Sequence, residues 1–150
     1  MLLMKNKAIK KLYLQLGTLF LIISGIFLMW YSLYEHYQDS NKKAFCDLSE
    51  VVNCSLVNKG PYSEFMGIPV AMWGLSFFVA LLFGFLLYLI NYKKVFLDFL
   101  YYFSWLGLLI AVFLFAFVFY KLQAVCPVCI ATDLVIILLV YLFYFLRKVS

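Results

Sequence analysis

The sequence predicts an all-α membrane protein: a four-transmembrane-helix bundle with an external loop cap and both termini cytoplasmic. Three observations carry that reading. Of 150 residues, 67% are hydrophobic and 13% are charged, against about 45–50% and about 25% in soluble domains. A chain of this size cannot turn so much apolar surface inward, so its solvent is lipid. The apolar residues gather into four runs, near 12–34, 65–90, 95–120 and 125–146. Each is close to the ~20 residues that cross a hydrocarbon core, and a backbone in lipid must satisfy its own hydrogen bonds, so each run is a helix. Lys5, Lys7, Lys10, Lys11, Lys93, Lys94, Arg147 and Lys148 fall on one side of these spans, and Lys42, Lys43, Lys59 and Lys121 on the other. The richer side faces the cytoplasm.

The first run follows a cluster of lysines but exceeds the ~7–15 apolar residues of a signal peptide and lacks an Ala-x-Ala-like site, so it reads as an uncleaved anchor. Trp30, Tyr31, Tyr34 and Tyr37 at its outer end, and Tyr120 on the third run, suit an interfacial aromatic belt. His36, the single histidine, reads as a polar end cap.

The external loop, 35–64, is the one sizeable polar segment. Gly60-Pro61 marks a turn in it, and Asp47–Leu56 reads as a short amphipathic helix lying on the membrane. The second run opens with Gly67-Ile68-Pro69. Gly67, Ala71 and Gly74 form a small-residue face for close helix packing, and Pro69 fits a first helical turn. The short connection 91–94 makes spans two and three an antiparallel hairpin. No repeat, low-complexity tract or linker interrupts the chain, which reads as one domain over 1–150 with no fused thioredoxin-like domain. The net charge of +5 is no nucleic-acid signal, because the basic residues sit at segment ends.

Four cysteines fall in two pairs near the outer face, where disulfides form and persist. Cys46 and Cys54 lie in the polar loop, and Cys126-Pro127-Val128-Cys129 opens the fourth span. A continuous helix would hold Cys46 and Cys54 about 12 Å apart, too far for a bond, so pairing would need the loop to fold back. Pro127 favours a helix start, which puts Cys126 at an N-terminus where free N–H groups and the helix dipole stabilise a thiolate, the attacking species in disulfide exchange. Cys129 lies one turn deeper, suited to a lipid-soluble electron carrier. Redox exchange is therefore preferred over static structural disulfides, a four-cysteine zinc site or chance packing of thiols. Seven intervening residues between Cys46 and Cys54 do not match a zinc knuckle, and no metal is expected.

Asp133, four residues after Cys129, shares its helix face. An acid inside a span reads either as a proton relay or hydrogen-bond partner of the carrier, or as a group bonding a neighbouring helix.

The order Cys46, then Cys54-Ser55-Leu56-Val57, then Phe65-Met66-Gly67-Ile68-Pro69-Val70, then Cys126-Pro127-Val128-Cys129 resembles the vitamin K epoxide reductase family, prokaryotic members above all. The resemblance runs from the first anchor to the fourth span. It implies a four-helix bundle around a quinone site, in the cell (inner) membrane, with the redox cysteines on the extracytoplasmic side. It implies that Cys46 takes electrons from a separate thioredoxin-like (DsbA-like) protein, that Cys54 passes them to Cys126, and that Cys129 reduces a quinone such as menaquinone, ubiquinone or a vitamin K-type quinone. The family usually has Ser or Thr six residues after the second loop cysteine; here Gly60 stands there, with Ser63 three residues on. Animal members often have Tyr four residues after the last cysteine; here it is Asp133, with Thr132 beside it matching a common hydroxyl. Cys129, Asp133, Thr132 and Ser63 are thus the expected quinone contacts. The expected activity is a quinone-dependent thiol–disulfide oxidoreductase that supports disulfide bond formation. The alternatives are a quinone or vitamin K epoxide reductase, and a non-enzymatic tetraspan scaffold with static disulfides.

Overall fold

The computed structural model describes residues 2–39 and 41–150, with the backbone alone for residues 2–5. Met1, Ser40 and the side chain of Lys5, one of the cations used above to orient the chain, lie outside the described residues. Among the described residues, four helices are long and apolar enough to cross a membrane. They are α1 (Leu2–His36), α3 (Val70–Asn91), α4 (Lys94–Leu122) and α5 (Pro127–Val149), and a short α2 (Cys54–Lys59) precedes a two-stranded hairpin of β1 (Glu64–Phe65) and β2 (Ile68–Pro69).

The long helices form a ring. Helix α1 packs on α3 and α5, and α4 closes the ring against both. At one end, Lys11 Nζ stands 5.2 Å from the Tyr92 ring centre, Tyr88 OH meets Ser150 Oγ at 2.7 Å, and Arg147 Nε donates to Asp98 at 2.6 Å. The lysine-rich start of α1, the α3–α4 junction and the C-terminus therefore share that end. The segment 37–69 and the α4–α5 junction share the other.

Because every span is apolar on all sides, the sequence does not reveal which face turns inward. Packing decides it. Helix α1 buries Thr18, Ile22, Gly25, Met29, Ser32 and Glu35, and α3 buries Phe78, Leu81, Phe85 and Tyr88, both at the three- and four-residue steps of one helix face. Lipid tails are as apolar as leucine, so association rests on close van der Waals fit. Glycine supplies that fit: a Cβ at Gly25 would overlap the Phe78 ring, and one at Gly74 would overlap Met29. Helix α4 differs along its length. It buries Leu97, Leu100 and Ser104 near its start, and nothing from residue 105 to 122.

Four sequence-based expectations change. The first helix starts at Leu2, not near 12, because the lysine-bearing residues before the apolar run continue the same helix. The second span starts at Val70, not near 65, because residues 64–69 turn back as the hairpin. Met66 and Gly67 both have positive φ, 56° and 76°, as a two-residue primed hairpin turn requires. Gly67 therefore belongs to a turn with open space around it rather than to a packing face. Finally, Asp47–Leu56 is not one helix. Residues 47–53 bend back and α2 begins only at Cys54, where Asn53 caps it by accepting from Leu56 N–H at 2.8 Å.

Candidate active site

The loop pair is built by folding residues 44–55 onto themselves. Asp47 is the pin. One carboxylate oxygen accepts from Ala44 N–H at 2.8 Å and Ser55 Oγ at 2.6 Å, and the other accepts from Ser55 N–H at 2.9 Å. Ser55 Oγ also lies 3.1 Å from Ala44 N. Partial burial pushes the Asp47 carboxyl up, but these hydrogen bonds outweigh it and hold the group below its ordinary value. Cys46 and Cys54 thereby come to a Cα separation of 5.7 Å and form a disulfide. The fold-back that the spacing required is present.

A second tie brings this pair to the fourth span. Val52 and Val125 form a parallel bridge. Asn53 N–H donates to Val125 O at 3.1 Å, and Val125 N–H donates to Val51 O at 2.6 Å. The residues just before Cys54 and just before Cys126 are thus paired backbone to backbone. Cys126 is the N-cap of α5, with Pro127 in the first turn. Its thiol donates to Cys54 Sγ at 3.1 Å. Both sulfurs are buried, Cys54 at 0% and Cys126 at 2% exposure. Cys46, Cys54 and Cys126 form one apolar cluster with Ala44, and Tyr31, Val57, Val128 and Cys129 pack against it.

Electrostatics stabilise a thiolate at Cys126. The Cys129 thiol donating to its sulfur lowers the Cys126 pKa most. Burial opposes this, the N–H groups of Cys129 and Val128 reinforce it, and the Asp47 charge opposes it weakly. The balance lies below the ordinary thiol value, as expected at a helix N-terminus.

The other expected site residues divide. Asp133 is half-buried one turn beyond Cys129. Thr132 is buried, and its hydroxyl donates back to Val128 O at 2.9 Å. Ser63 belongs elsewhere: it donates to Gly60 O at 2.7 Å and lines a separate polar cleft of about 340 Å³ with His36, Lys59 and Glu64. His36 is more than an end cap, since its Nδ1 meets Asn58 O at 2.5 Å and its Nε2 lies 3.3 Å from Glu64. Reading the sequence missed Asp47, Asn53 and the Val52–Val125 bridge. Asn53 had a usable signal, because Asn is a preferred cap and a helix starts right after it. Asp47 and the valines had none, since a loop acid and two valines carry no pattern.

With this geometry the sequence can be placed among known proteins. A family model described as the vitamin K epoxide reductase family matches residues 16–144. The chain belongs to the vitamin K epoxide reductase family. The match runs from within α1 to within α5 and takes in both cysteine pairs. No curated protein matches the chain. Family membership makes the chain an oxidoreductase of a group that uses quinones, and the loop disulfide fits a redox function. With four helices able to span, it is a multi-pass membrane protein.

Proposed function

We propose that the protein is a quinone-dependent thiol–disulfide oxidoreductase that oxidises a separate thioredoxin-like partner on the extracytoplasmic side of the cell membrane and so supports disulfide bond formation. The observation that carries this reading is the 3.1 Å approach of Cys126 Sγ to Cys54 Sγ, with the loop pair oxidised and Cys126 and Cys129 free. A sulfur at van der Waals range of a disulfide is placed for exchange rather than for static packing.

The electron balance closes over three exchanges. The partner dithiol attacks Cys46, and its two thiols become a disulfide as Cys46 and Cys54 become thiols. The Cys54 thiolate attacks Cys126 in a Cys126–Cys129 disulfide, releasing Cys129 as thiolate. Cys46 then attacks Cys54, re-forming the loop disulfide and releasing Cys126. The result is the arrangement described above: an oxidised loop pair and a Cys126/Cys129 dithiol holding two electrons. The N-terminal position of Cys126 makes it a good leaving group in the last step.

The residues fit a quinone as acceptor. Cys129 and Asp133 are half-open on α5, and α4 buries nothing beyond Ser104 at this depth, leaving apolar surface for a flat ring. In this reading Cys129 is the thiol donor, and Asp133, one turn further along α5, is the acid able to hold or pass a proton. Thr132 is turned into its own helix, and Ser63 lies in another cleft, so neither is retained as a primary contact. A bound quinone supplies a two-electron, two-proton acceptor.

The test is oxidation of a reduced thioredoxin-like protein by the purified protein, with and without added quinone, beside the four single cysteine-to-alanine variants. Quinone-dependent turnover lost in all four variants is the expected result. Cys129→Ala should in addition accumulate a Cys54–Cys126 bridge, read by mass spectrometry after thiol trapping. No turnover with any quinone, together with disulfides that resist exchange, would replace this reading with a static scaffold.

A further inference from the structure

We infer that Asp47 is a positioning residue whose carboxylate clamps the Cys46 and Cys54 segments together independently of the disulfide, so that the two thiols stay paired and Cys54 stays aimed at Cys126 while the loop bond is open. The inference deepens the relay reading and rests on it for its purpose, but its test does not.

The geometry is specific. The carboxylate accepts from Ala44 N–H, two residues before Cys46, and from both the N–H and Oγ of Ser55, the residue after Cys54. Asp47 itself follows Cys46. The two bonds from Ser55 join the residue after Cys46 to the residue after Cys54, the Ala44 N–H bond fixes the turn around Cys46, and none involves sulfur. Reducing the disulfide removes one covalent bond and leaves these intact. The clamp also adjoins the Val52–Val125 bridge, which is likewise independent of redox state. A relay cysteine spends part of each cycle as a thiol. A loop released at that moment would lower the effective concentration of one sulfur at the other, since a flexible segment must repay its ordering each time the bond closes. The acceptor also needs to be charged and fully occupied. Hydrogen bonds to an ionised group are stronger than neutral ones, and here both oxygens are used. Asparagine retains one acceptor oxygen and so keeps only part of the arrangement.

The experiment is the equilibrium of the loop dithiol with glutathione in the detergent-purified full chain, without quinone or partner. The two loop thiols form one disulfide while one glutathione disulfide becomes two thiols. Trapping free thiols and quantifying the Cys46 and Cys54 peptides gives the constant. Asp47→Ala is expected to lower it by about tenfold or more, the size expected for losing charge-assisted hydrogen bonds, which is a potential about 30 mV more oxidising. Asp47→Asn and Ser55→Ala should fall between Asp47→Ala and wild type. The oxidised forms should melt like wild type, since the disulfide then holds the segments. Ser55→Ala removes only a hydroxyl and decides the matter should Asp47→Ala fail to fold. Constants equal to wild type in the folded variants would overturn the clamp, whatever the quinone assay gives. A lowered constant in a protein that never reduces quinone would sink the relay and leave the clamp standing.

Discussion

At the scale of single residues, the chemistry concentrates on Cys126. Its sulfur is buried, 3.1 Å from Cys54 Sγ, at the N-cap of α5. The Cys129 thiol and the first N–H groups of that helix hold its pKa down against burial and the Asp47 charge. A lowered pKa means the thiolate is populated at a pH where an ordinary thiol is still protonated. Alkylation of Cys126 across a pH series, read by peptide mass spectrometry, should therefore titrate below the ~8.5 of a free cysteine. Replacing Cys129 by alanine should move the midpoint up in protein reduced beforehand to open any Cys54–Cys126 bridge, because the largest stabilising contact is then gone. A midpoint at or above the free value in the unaltered chain would contradict this account. The position of Cys126 was legible in the sequence, because proline is favoured in the first turn of a helix and an apolar run follows it. Its nearness to Cys54 was not. That depends on Val52 meeting Val125 and on Asp47 reaching Ala44 and Ser55. Backbone pairing across 73 residues of separation (125 − 52) leaves no local mark.

At the scale of elements, the long helices were legible and their faces were not. Hydropathy located each span to within a few residues at most ends, because lipid demands length and apolarity and nothing more subtle. It missed the start of α1, where the lysine-rich residues from Leu2 onward are helical but not apolar, and it misplaced the start of α3, since Phe65-Met66-Gly67-Ile68 is apolar yet forms the hairpin before the helix. The burial stripes were invisible because leucine and phenylalanine occupy lipid-facing and protein-facing positions alike. Glycine breaks that degeneracy. A Cβ on Gly25 would overlap the ring of Phe78, which is fully buried and has nowhere to go, whereas a Cβ on Gly17 would find its nearest atom, Leu142 Cδ1, at 3.8 Å. Gly25→Ala should therefore destabilise the α1–α3 contact by about 1–3 kcal/mol, the usual cost of overpacking. Gly17→Ala should be neutral or mildly stabilising, because alanine is the better helix former by about 1 kcal/mol. Thermal unfolding in detergent compares the two. Equal effects at both positions would mean that the close approach at Gly25 carries no energy.

At the scale of the whole molecule, the ring of four antiparallel spans turns a charge count into an orientation. Lys11, Tyr92, Asp98, Arg147 and Ser150 meet at one end through the cation–ring contact, the ion pair and the terminal hydrogen bond. Both termini and the α3–α4 junction, with its Lys93 and Lys94, lie there. The two cysteine pairs and the segment 37–69 lie at the other. Cations resist translocation, so the basic end is expected on the cytoplasmic side and the sulfurs outside it. The chemistry makes the same demand from another direction, because cytosolic thiol pools keep disulfides reduced, and an oxidised loop pair persists only outside them. Alkaline phosphatase, active only after export, should be active when fused after Lys59 and inactive when fused after Lys93 or Ser150, and a cytoplasm-dependent fluorescent reporter should give the reverse pattern. Moving Lys93 and Lys94 to glutamine alone should not invert the chain, since the lysines in the first turns of α1 and the basic residues ending α5 keep the bias. An active phosphatase at Ser150 with an inactive one at Lys59 would put the relay in a reducing compartment. The exchange would then run from a reduced loop pair toward substrate rather than away from it.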